Sequence, residues 1–381
     1  MDDTITLHSL ETPCLVLDAD RMDRNVARLR DKLGGLGVGL RPHLKTGKSV
    51  DVARKVMDSV AGPATVSTLK EASLFAASGV RDLIYAVGIA PAKLQQVLDL
   101  RATGVDLAVL LDTVEQAEAV AAASRAANTA IPALIEIDCD GHRSGVRPDD
   151  AQTLLAIGQA LVNGGELRGV LTHAGGSYGA RGDQALRQCA IEERDAVVLA
   201  ATTLRDAGLP WPVVSIGSTP TAFHATDLTG VTEMRAGVFV FFDLVIAGVG
   251  VCAIDDIALS VLGTVIGFQR EKGWILVDAG WMALSRDLGT SKQAVNQGYG
   301  VVCDLAGNPY PDLIVSEANQ EHGVITVRPG SSATLPDLAI GDRVRILPNH
   351  ACSTGAQHAA YNVVRGTDPV VEAHWPRFGG W

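Results

Sequence analysis

The chain has no apolar run near the roughly 18 residues that a membrane-spanning helix requires, and no CxxC pair, internal repeat or low-complexity segment. Each absence removes a class of protein. Its six cysteines (Cys14, Cys139, Cys189, Cys252, Cys303 and Cys352) are scattered over 381 residues. That excludes the disulfide framework of a small secreted domain and reads as reduced cytosolic thiols. Positive charge is in deficit: 32 Lys and Arg against 43 Asp and Glu leave a formal net charge of −11. Nucleic acid and anionic membrane are therefore disfavoured as partners. The opening residues, MDDTITLHSLETPCLVLDADR, carry acidic groups where a secretory leader carries positive ones, so a cytoplasmic location is expected.

What is present points to a folded enzyme-sized chain. A hydrophobic share of 47% with 20% charged residues excludes disorder, and the length predicts two domains or one barrel with an appendage. From about residue 20 to 245, short β-rich runs alternate with Ala- and Leu-rich helical stretches. The strand candidates are 37–43, 64–67, 82–87, 106–112, 133–138, 167–173, 212–217 and 231–237. Several are nearly continuous apolar runs, as parallel strands buried on both faces require. Between them lie patterns such as DDAQTLLAIGQALVNGG, which opens on aspartates and closes on glycines. Eight such repeats predict an α/β fold, a (β/α)8 TIM barrel over 20–245, with an open doubly wound sheet as the alternative. After residue 250 the texture changes to strands and turns, in ALSVLGTVIGFQ, GWILVDAG and DRVRILPNH. A second, mostly β domain is expected from 1–19 plus 246–381, with ETPCLVLD pairing into it.

In such a barrel, chemistry collects where strands end and βα loops begin. The first strand ends in RPHLKTGKS, the fifth in EIDCDGHRSGV, the sixth in THAGGSYG, the seventh in SIGSTPT and the eighth in RAGVFVFFD. Loops after the seventh and eighth strands commonly bind phosphate. GSTPT supplies Gly217 for close approach and the Ser218 and Thr219 hydroxyls; on its own it is more often only a turn, and its place after the seventh strand favours the phosphate reading. Lys45 lies just beyond the first strand. Opposite a phosphate cradle it suits a Schiff base with a phosphorylated aldehyde, because desolvation and nearby cations make its amine nucleophilic. Lys48 and Lys70 are rivals on sequence grounds, and an ordinary solvated lysine is the plainer alternative.

Near the C-terminus, LPNHACSTG sets His350 and Cys352 two positions apart. Imidazole and thiolate are good donors for a transition metal, yet two ligands do not complete a shell, and a buried cysteine beside a surface histidine is the plainer reading.

Taken together, TPCLVLDADRMDRNVARL, RPHLKTGKS, VSTLKEA, EIDCDGHRSGV, SIGSTPT and PNHAC resemble the fold-type III pyridoxal-phosphate enzymes with an alanine-racemase-like barrel. More narrowly they resemble the D-serine dehydratase and D-threonine aldolase group, over essentially the whole chain and in the family's order. The resemblance implies that Lys45 carries pyridoxal phosphate, that Arg143 contacts its phenolic oxygen, and that Tyr178 lies near its pyridine nitrogen. Thr219, Gly237 and Val238 would hold the phosphate, while His43 and His173 line the rim. It also implies a divalent metal (zinc, manganese or cobalt) on His350 and Cys352, with His-x-Cys marking dehydratases and His-x-Asp marking D-threonine aldolases. Homodimers are the family's rule.

The chemistry gives the incomplete metal shell a purpose. Pyridoxal phosphate acidifies the Cα–H, and hydroxide is a poor leaving group unless a Lewis acid draws it away. The expected reaction is dehydration of a 3-hydroxyamino acid to ammonia and a 2-oxo acid, with the D configuration implied by the resemblance alone. Arg143 and His173 could meet a second carboxylate, which favours 3-hydroxyaspartate, giving oxaloacetate, over serine, giving pyruvate. Retro-aldol cleavage to glycine and an aldehyde is the alternative, racemisation a third, and a non-catalytic pyridoxal-phosphate carrier a fourth. NQEHG (319–323) reads as a polar turn, with a substrate-side loop as its alternative.

Overall fold

The computed structural model describes residues 4–381. The chain divides into two compact units: Arg28–Gly237 with the last two residues, and the chain up to Ala27 together with Val238–Gly379. Strand β1 (Cys14–Asp18) belongs to the latter, and helix α1 (Ala19–Gly35) leads out of it.

The larger unit is built on eight parallel strands: β2 (Gly39–Leu40), β3 (Ala64–Val66), β4 (Asp82–Gly88), β5 (Asp106–Leu111), β6 (Pro132–Ile137), β7 (Glu166–Thr172), β8 (Val213–Ile216) and β9 (Glu233–Met234). Their order is β2-β9-β8-β7-β6-β5-β4-β3. The two ends of that order meet through a parallel bridge between His43 and Thr65, with Leu44 N–H donating to Thr65 O (2.9 Å) and Thr65 N–H to Pro42 O (2.9 Å). The sheet therefore closes into the (β/α)8 barrel that the alternating pattern anticipated, not an open doubly wound sheet. Buried Arg41 fastens this seam. It donates to both Asp82 carboxylate oxygens (2.6 and 3.1 Å) and to Glu233 (2.7 Å), joining the chain after β2 to the starts of β4 and β9.

Helices α2 (Val50–Val56), α3 (Leu69–Ala77), α4 (Leu94–Ala102), α5 (Val114–Ala127), α6 (Ala151–Val162), α7 (Asp183–Asp206) and α8 (Thr219–His224) follow successive strands. Their starts obey local chemistry. Thr68, Thr113, Asp150 and Ser218 each accept a backbone N–H from the first turn of α3, α5, α6 and α8. Helix α7 buries the stripe Leu186, Ala190, Val197, Ala201 and Leu204, at the three- and four-residue spacing of an amphipathic helix.

In the second unit, α9 (Leu244–Val249), α10 (Trp281–Leu284) and α11 (Ala351–Gly355) are all short. Strands β10 (Leu259–Gln269), β11 (Trp274–Val277), β12 (Gly300–Cys303), β13 (Pro309–Ala318), β14 (Gly323–Val327) and β15 (Arg343–Pro348) pair antiparallel. Because β10 pairs with both β11 and β15, these six strands close on themselves and leave no open edge. Beyond β10 the sheet continues through β1, β16 (Ala360–Val364) and β17 (Ala373–Pro376). The ETPCLVLD segment thus pairs into the β unit as its sequence suggested, antiparallel to β10 and parallel to β16. Leu7, Val16, Leu262 and Val364 pack together there.

Candidate active site

The barrel's loops place polar groups at the ends of β2, β7, β8 and β9. Lys45 is exposed just past the β2 end, whereas Lys48 is ion-paired with buried Glu71 at 2.9 Å. Lys70 is an exposed residue in the first turn of α3, four residues beyond the β3 end. Lys45 is the lysine whose charge bears on both His43 and His173.

Two half-buried histidines flank it. Burial, reinforced by the Lys45 and Arg235 charges, holds His43 well below its ordinary pKa. The same causes pull His173 down to about 3, against a hydrogen bond to the Gly217 carbonyl. Both rings are therefore neutral near pH 7. His173 Nδ1 lies 2.5 Å from Gly217 O, so Nδ1 carries the proton and Nε2 keeps its lone pair. His173 and Tyr178 approach each other at 6.3 Å between ring centroids. Arg143 is exposed on the loop after β6; its Nε would stand 3.4 Å from a Cβ at Gly175, so it runs alongside the loop that carries Tyr178.

The β8 end offers an anion cradle. Ser218 Oγ caps Thr221 N–H and meets Ser177 Oγ at 2.9 Å, tying this turn to the Tyr178 loop. Thr219 is 1% exposed, and its Oγ1 has no hydrogen-bond partner among the described residues. A buried hydroxyl left unpaired costs about 1–3 kcal/mol, so this position calls for a group from outside the chain. A Cβ at Gly237 would stand 3.1 Å from His43 O and 3.2 Å from Thr46 Oγ1, so the end of β9 passes close against the Lys45 loop. At Gly217, with φ +153°, a Cβ would fall 1.7 Å from Arg235 O, which only glycine allows. Val238, next in the chain after Gly237, is buried. An unpaired hydroxyl and a glycine-lined backbone near a lysine fit the phosphate and aldehyde of pyridoxal phosphate.

Two residues absent from the sequence reading hold this mouth together. Glu193 of α7 is fully buried, and its Oε1 accepts from Ala174 N–H (2.9 Å) and Gly217 N–H (3.1 Å), bracing the loops after β7 and β8 with one carboxyl. Burial pushes its pKa up against those hydrogen bonds. Arg235, buried after β9, donates to Ser215 Oγ (2.9 Å) and to the Thr172 carbonyl. A charged residue within the buried stripe of α7 was the available signal for Glu193. Arg235 announces itself by no local pattern.

In the β unit, β15 delivers Asn349 and His350 to the start of α11. Asn349 is held by Thr290 Oγ1 (2.8 Å) and by donating to Gly298 O (2.5 Å). Buried Asp243 accepts from Ala351 N–H (3.0 Å), between the two candidate donors, and from Ile246 N–H (2.9 Å) at the start of α9. His350 Nδ1 lies 2.7 Å from Asp287 Oδ2. Burial opposes the His350 imidazolium, but hydrogen bonds to Asp287 and Cys352 outweigh it and raise the pKa to about 11. His350 and Cys352 are therefore within reach of each other. Among the described residues no cluster of three or more His, Cys, Asp or Glu is arranged to hold a metal. A soft two-donor set fits a divalent ion whose remaining positions go to water or substrate. Cys14, Cys139 and Cys303, by contrast, are pushed by burial to about 11, 12 and 12 and stay neutral thiols.

The NQEHG segment forms the turn between β13 and β14. Asn319 N–H donates to His322 O (2.8 Å), and the Asn319 and Gln320 carbonyls accept from Trp281 and Met282 in α10.

The chain is similar to known proteins over nearly its whole length. Residues 17–245 match the alanine racemase N-terminal domain, and 258–364 match a putative serine dehydratase domain. The chain is 53% identical to D-threo-3-hydroxyaspartate dehydratase of Delftia sp. (strain HT23), over 99% of each. The structure of that protein superposes with a TM-score of 0.95, covering 99% of this chain and 100% of that one at 53% identity. A cysteine-to-alanine mutant of a D-threo-3-hydroxyaspartate dehydratase, described as metal-free, also gives 0.95, at 52% identity and the same coverage. D-serine dehydratase of Dictyostelium discoideum is 29% identical over 97% of each chain. D-threonine aldolase of Filomicrobium marinum is 25% identical, with a TM-score of 0.82 over 98% of this chain and 96% of that one. The chain belongs to the alanine-racemase-type family that includes the D-hydroxyaspartate and D-serine dehydratases and the D-threonine aldolases.

Proposed function

We propose that this protein is a pyridoxal-phosphate- and divalent-metal-dependent lyase that dehydrates D-3-hydroxyamino acids. Its principal substrate is D-threo-3-hydroxyaspartate, released as oxaloacetate and ammonia, with D-serine to pyruvate as a further activity. The observation that carries this reading is end-to-end identity of 53% with a dehydratase of that substrate, in a chain that has a strand-end lysine, an unpaired Thr219 hydroxyl after β8 and a His-x-Cys pair.

Lys45 would hold the cofactor and, once displaced by the substrate amine, take the Cα proton through Nζ. Ser218, Thr219, Gly237 and Val238 would hold the phosphate, with the Thr219 hydroxyl acquiring there the partner it otherwise lacks. Arg143 and Tyr178 would orient the ring. His43 and His173, neutral near pH 7, place no competing positive charge beside the Lys45 amine. His350 and Cys352 would bind zinc, manganese or cobalt. When bound, pyridoxal phosphate supplies an electron sink for the Cα carbanion and the ion supplies Lewis acidity for the departing β-hydroxyl.

Retro-aldol cleavage to glycine and an aldehyde is the second reading, supported by the D-threonine aldolase likeness. Cysteine at position 352 favours dehydration under the family's ligand rule. A carrier role is disfavoured, since a carrier needs neither the β unit nor the His-x-Cys pair. The acidic net charge and six scattered cysteines support a small-molecule enzyme of the cytoplasm, without nucleic-acid or membrane partners. No helix among the described residues is long and apolar enough to cross a membrane. A homodimer is expected from the family resemblance.

The test is ammonia release from D-threo-3-hydroxyaspartate by purified protein. Release that stops on chelation and returns with added zinc, manganese or cobalt supports the reading. Undiminished release after complete metal removal removes the metal from the reaction.

A further inference from the structure

The His350 side chain is not aimed by its backbone alone. Its Nδ1 lies 2.7 Å from Asp287 Oδ2, and Ser353 Oγ closes a triangle with the two, 3.1 Å from Nδ1 and 3.2 Å from Oδ2. The Asp287 backbone is itself held: its N–H donates to Ser285 Oγ at 3.0 Å, and Ser285 follows directly on α10. On the main chain, Asp243 fixes Ala351 N–H at 3.0 Å. One aspartate therefore steadies the backbone between the two donors, and the other steadies the ring.

An imidazole that binds a metal has given up one of its two ring protons and carries a single N–H. With an anionic acceptor 2.7 Å from Nδ1, the proton belongs on Nδ1, and the only lone pair left for a ligand is on Nε2. A carboxylate that accepts from the far side of a metal-binding histidine also raises the basicity of the coordinating nitrogen. We propose that Asp287 is the positioning residue of the metal pair, locking His350 in the Nδ1–H tautomer so that Nε2 meets the ion. Ser353 keeps the Asp287 oxygen on that line. Asp287 is then not a ligand, in keeping with the absence of any three-residue ligand cluster among the described residues. This rests on the reading of His350 and Cys352 as the metal's protein ligands, and adds which nitrogen binds and what fixes it.

The test uses cofactor-loaded protein stripped of metal by chelation and titrated with zinc or cobalt. Wild type is compared with Asp287→Ala, Asp287→Asn and His350→Ala. Asp287→Ala is expected to weaken affinity by about 10- to 100-fold, the usual cost of losing such an outer partner. Asp287→Asn should lose less, because its amide oxygen still accepts from Nδ1–H. Visible absorption of the Lys45-bound cofactor should be the same in all, which separates this effect from unfolding. Long-range 1H–15N NMR of zinc-loaded wild type, which needs no variant, should show His350 protonated at Nδ1 and metallated at Nε2. Zinc on Nδ1, or unchanged affinity in Asp287→Ala while His350→Ala loses binding, overturns the proposal alone. Unchanged affinity in His350→Ala as well overturns the metal assignment and the proposal with it.

Discussion

Replacing Thr219 by valine should change the stability of the cofactor-free protein and its affinity for cofactor in opposite directions. Thr219 is 1% exposed and its hydroxyl has no partner among the described residues. Without cofactor, that hydroxyl costs about 1–3 kcal/mol of desolvation, a cost that valine, of similar shape, does not bear. The stripped Thr219→Val protein should therefore melt higher, by about 2–4 °C for each kcal/mol in a unit of 150–250 residues. With pyridoxal phosphate bound, the same hydroxyl would donate to a charged oxygen, an interaction of about 1.5–3 kcal/mol. At 1.4 kcal/mol per factor of ten, cofactor affinity should fall by about 10- to 100-fold. Thermal melts of stripped protein and cofactor titrations followed by absorption read the two effects separately. A general packing defect would lower both quantities. A lower melting point without cofactor, or cofactor affinity within about twofold of wild type, would refute the phosphate role.

Lys45→Ala should abolish the visible absorption of the bound cofactor, while Lys48→Ala and Lys70→Ala retain it; retention in Lys45→Ala would move the attachment elsewhere. Glu193→Leu strands the Ala174 and Gly217 N–H groups, each costing about 1–3 kcal/mol, so it should destabilise the barrel and weaken cofactor binding, with Glu193→Gln milder. Equal effects of the two variants on denaturant unfolding and cofactor titration would show that hydrogen bonding to the two loops is not the cause. For pH, His173 titrates near 6.5 unfolded and about 3 folded. Between those values the unfolded chain binds the extra proton, so stability of stripped protein should fall as pH drops from about 6.5 towards 3 and be flat in this contribution above 6.5. Urea midpoints across that range should flatten in His173→Asn; an unchanged profile would mean that His173 is not the neutral buried group described.

The barrel was legible because its strands are buried on both faces. The apolar runs at 82–87, 106–112, 133–138 and 167–173 coincide with β4 to β7 within a residue or so. The first and last barrel strands were expected to be long, at 37–43 and 231–237, but the ladder holds only Gly39–Leu40 and Glu233–Met234. Beyond those pairs the backbone still bonds strand to strand, through Arg41 N–H to Met234 O and His43 N–H to Ala236 O. It does so with bends that admit the Lys45 loop and the close approach of Gly237. Lys45, Thr219 and His350 stand out in the string as candidates because each is a reactive or hydrogen-bonding type near a strand end. The residues that position them do not. Asp287 is 63 residues from His350 in sequence, and Glu193 reaches Gly217 across 24. Such partnerships are made by the fold, and an aspartate in a loop between short elements looks like any solvated charge.

Product analysis decides the central claim most directly. Metal-loaded protein is given D-threo-3-hydroxyaspartate, D-serine and D-threonine in parallel, and ammonia, 2-oxo acid, glycine and aldehyde are quantified. Oxaloacetate and ammonia in equal amounts from the first substrate, with no glycine, is the expected result; glycine with an equal amount of aldehyde would contradict it.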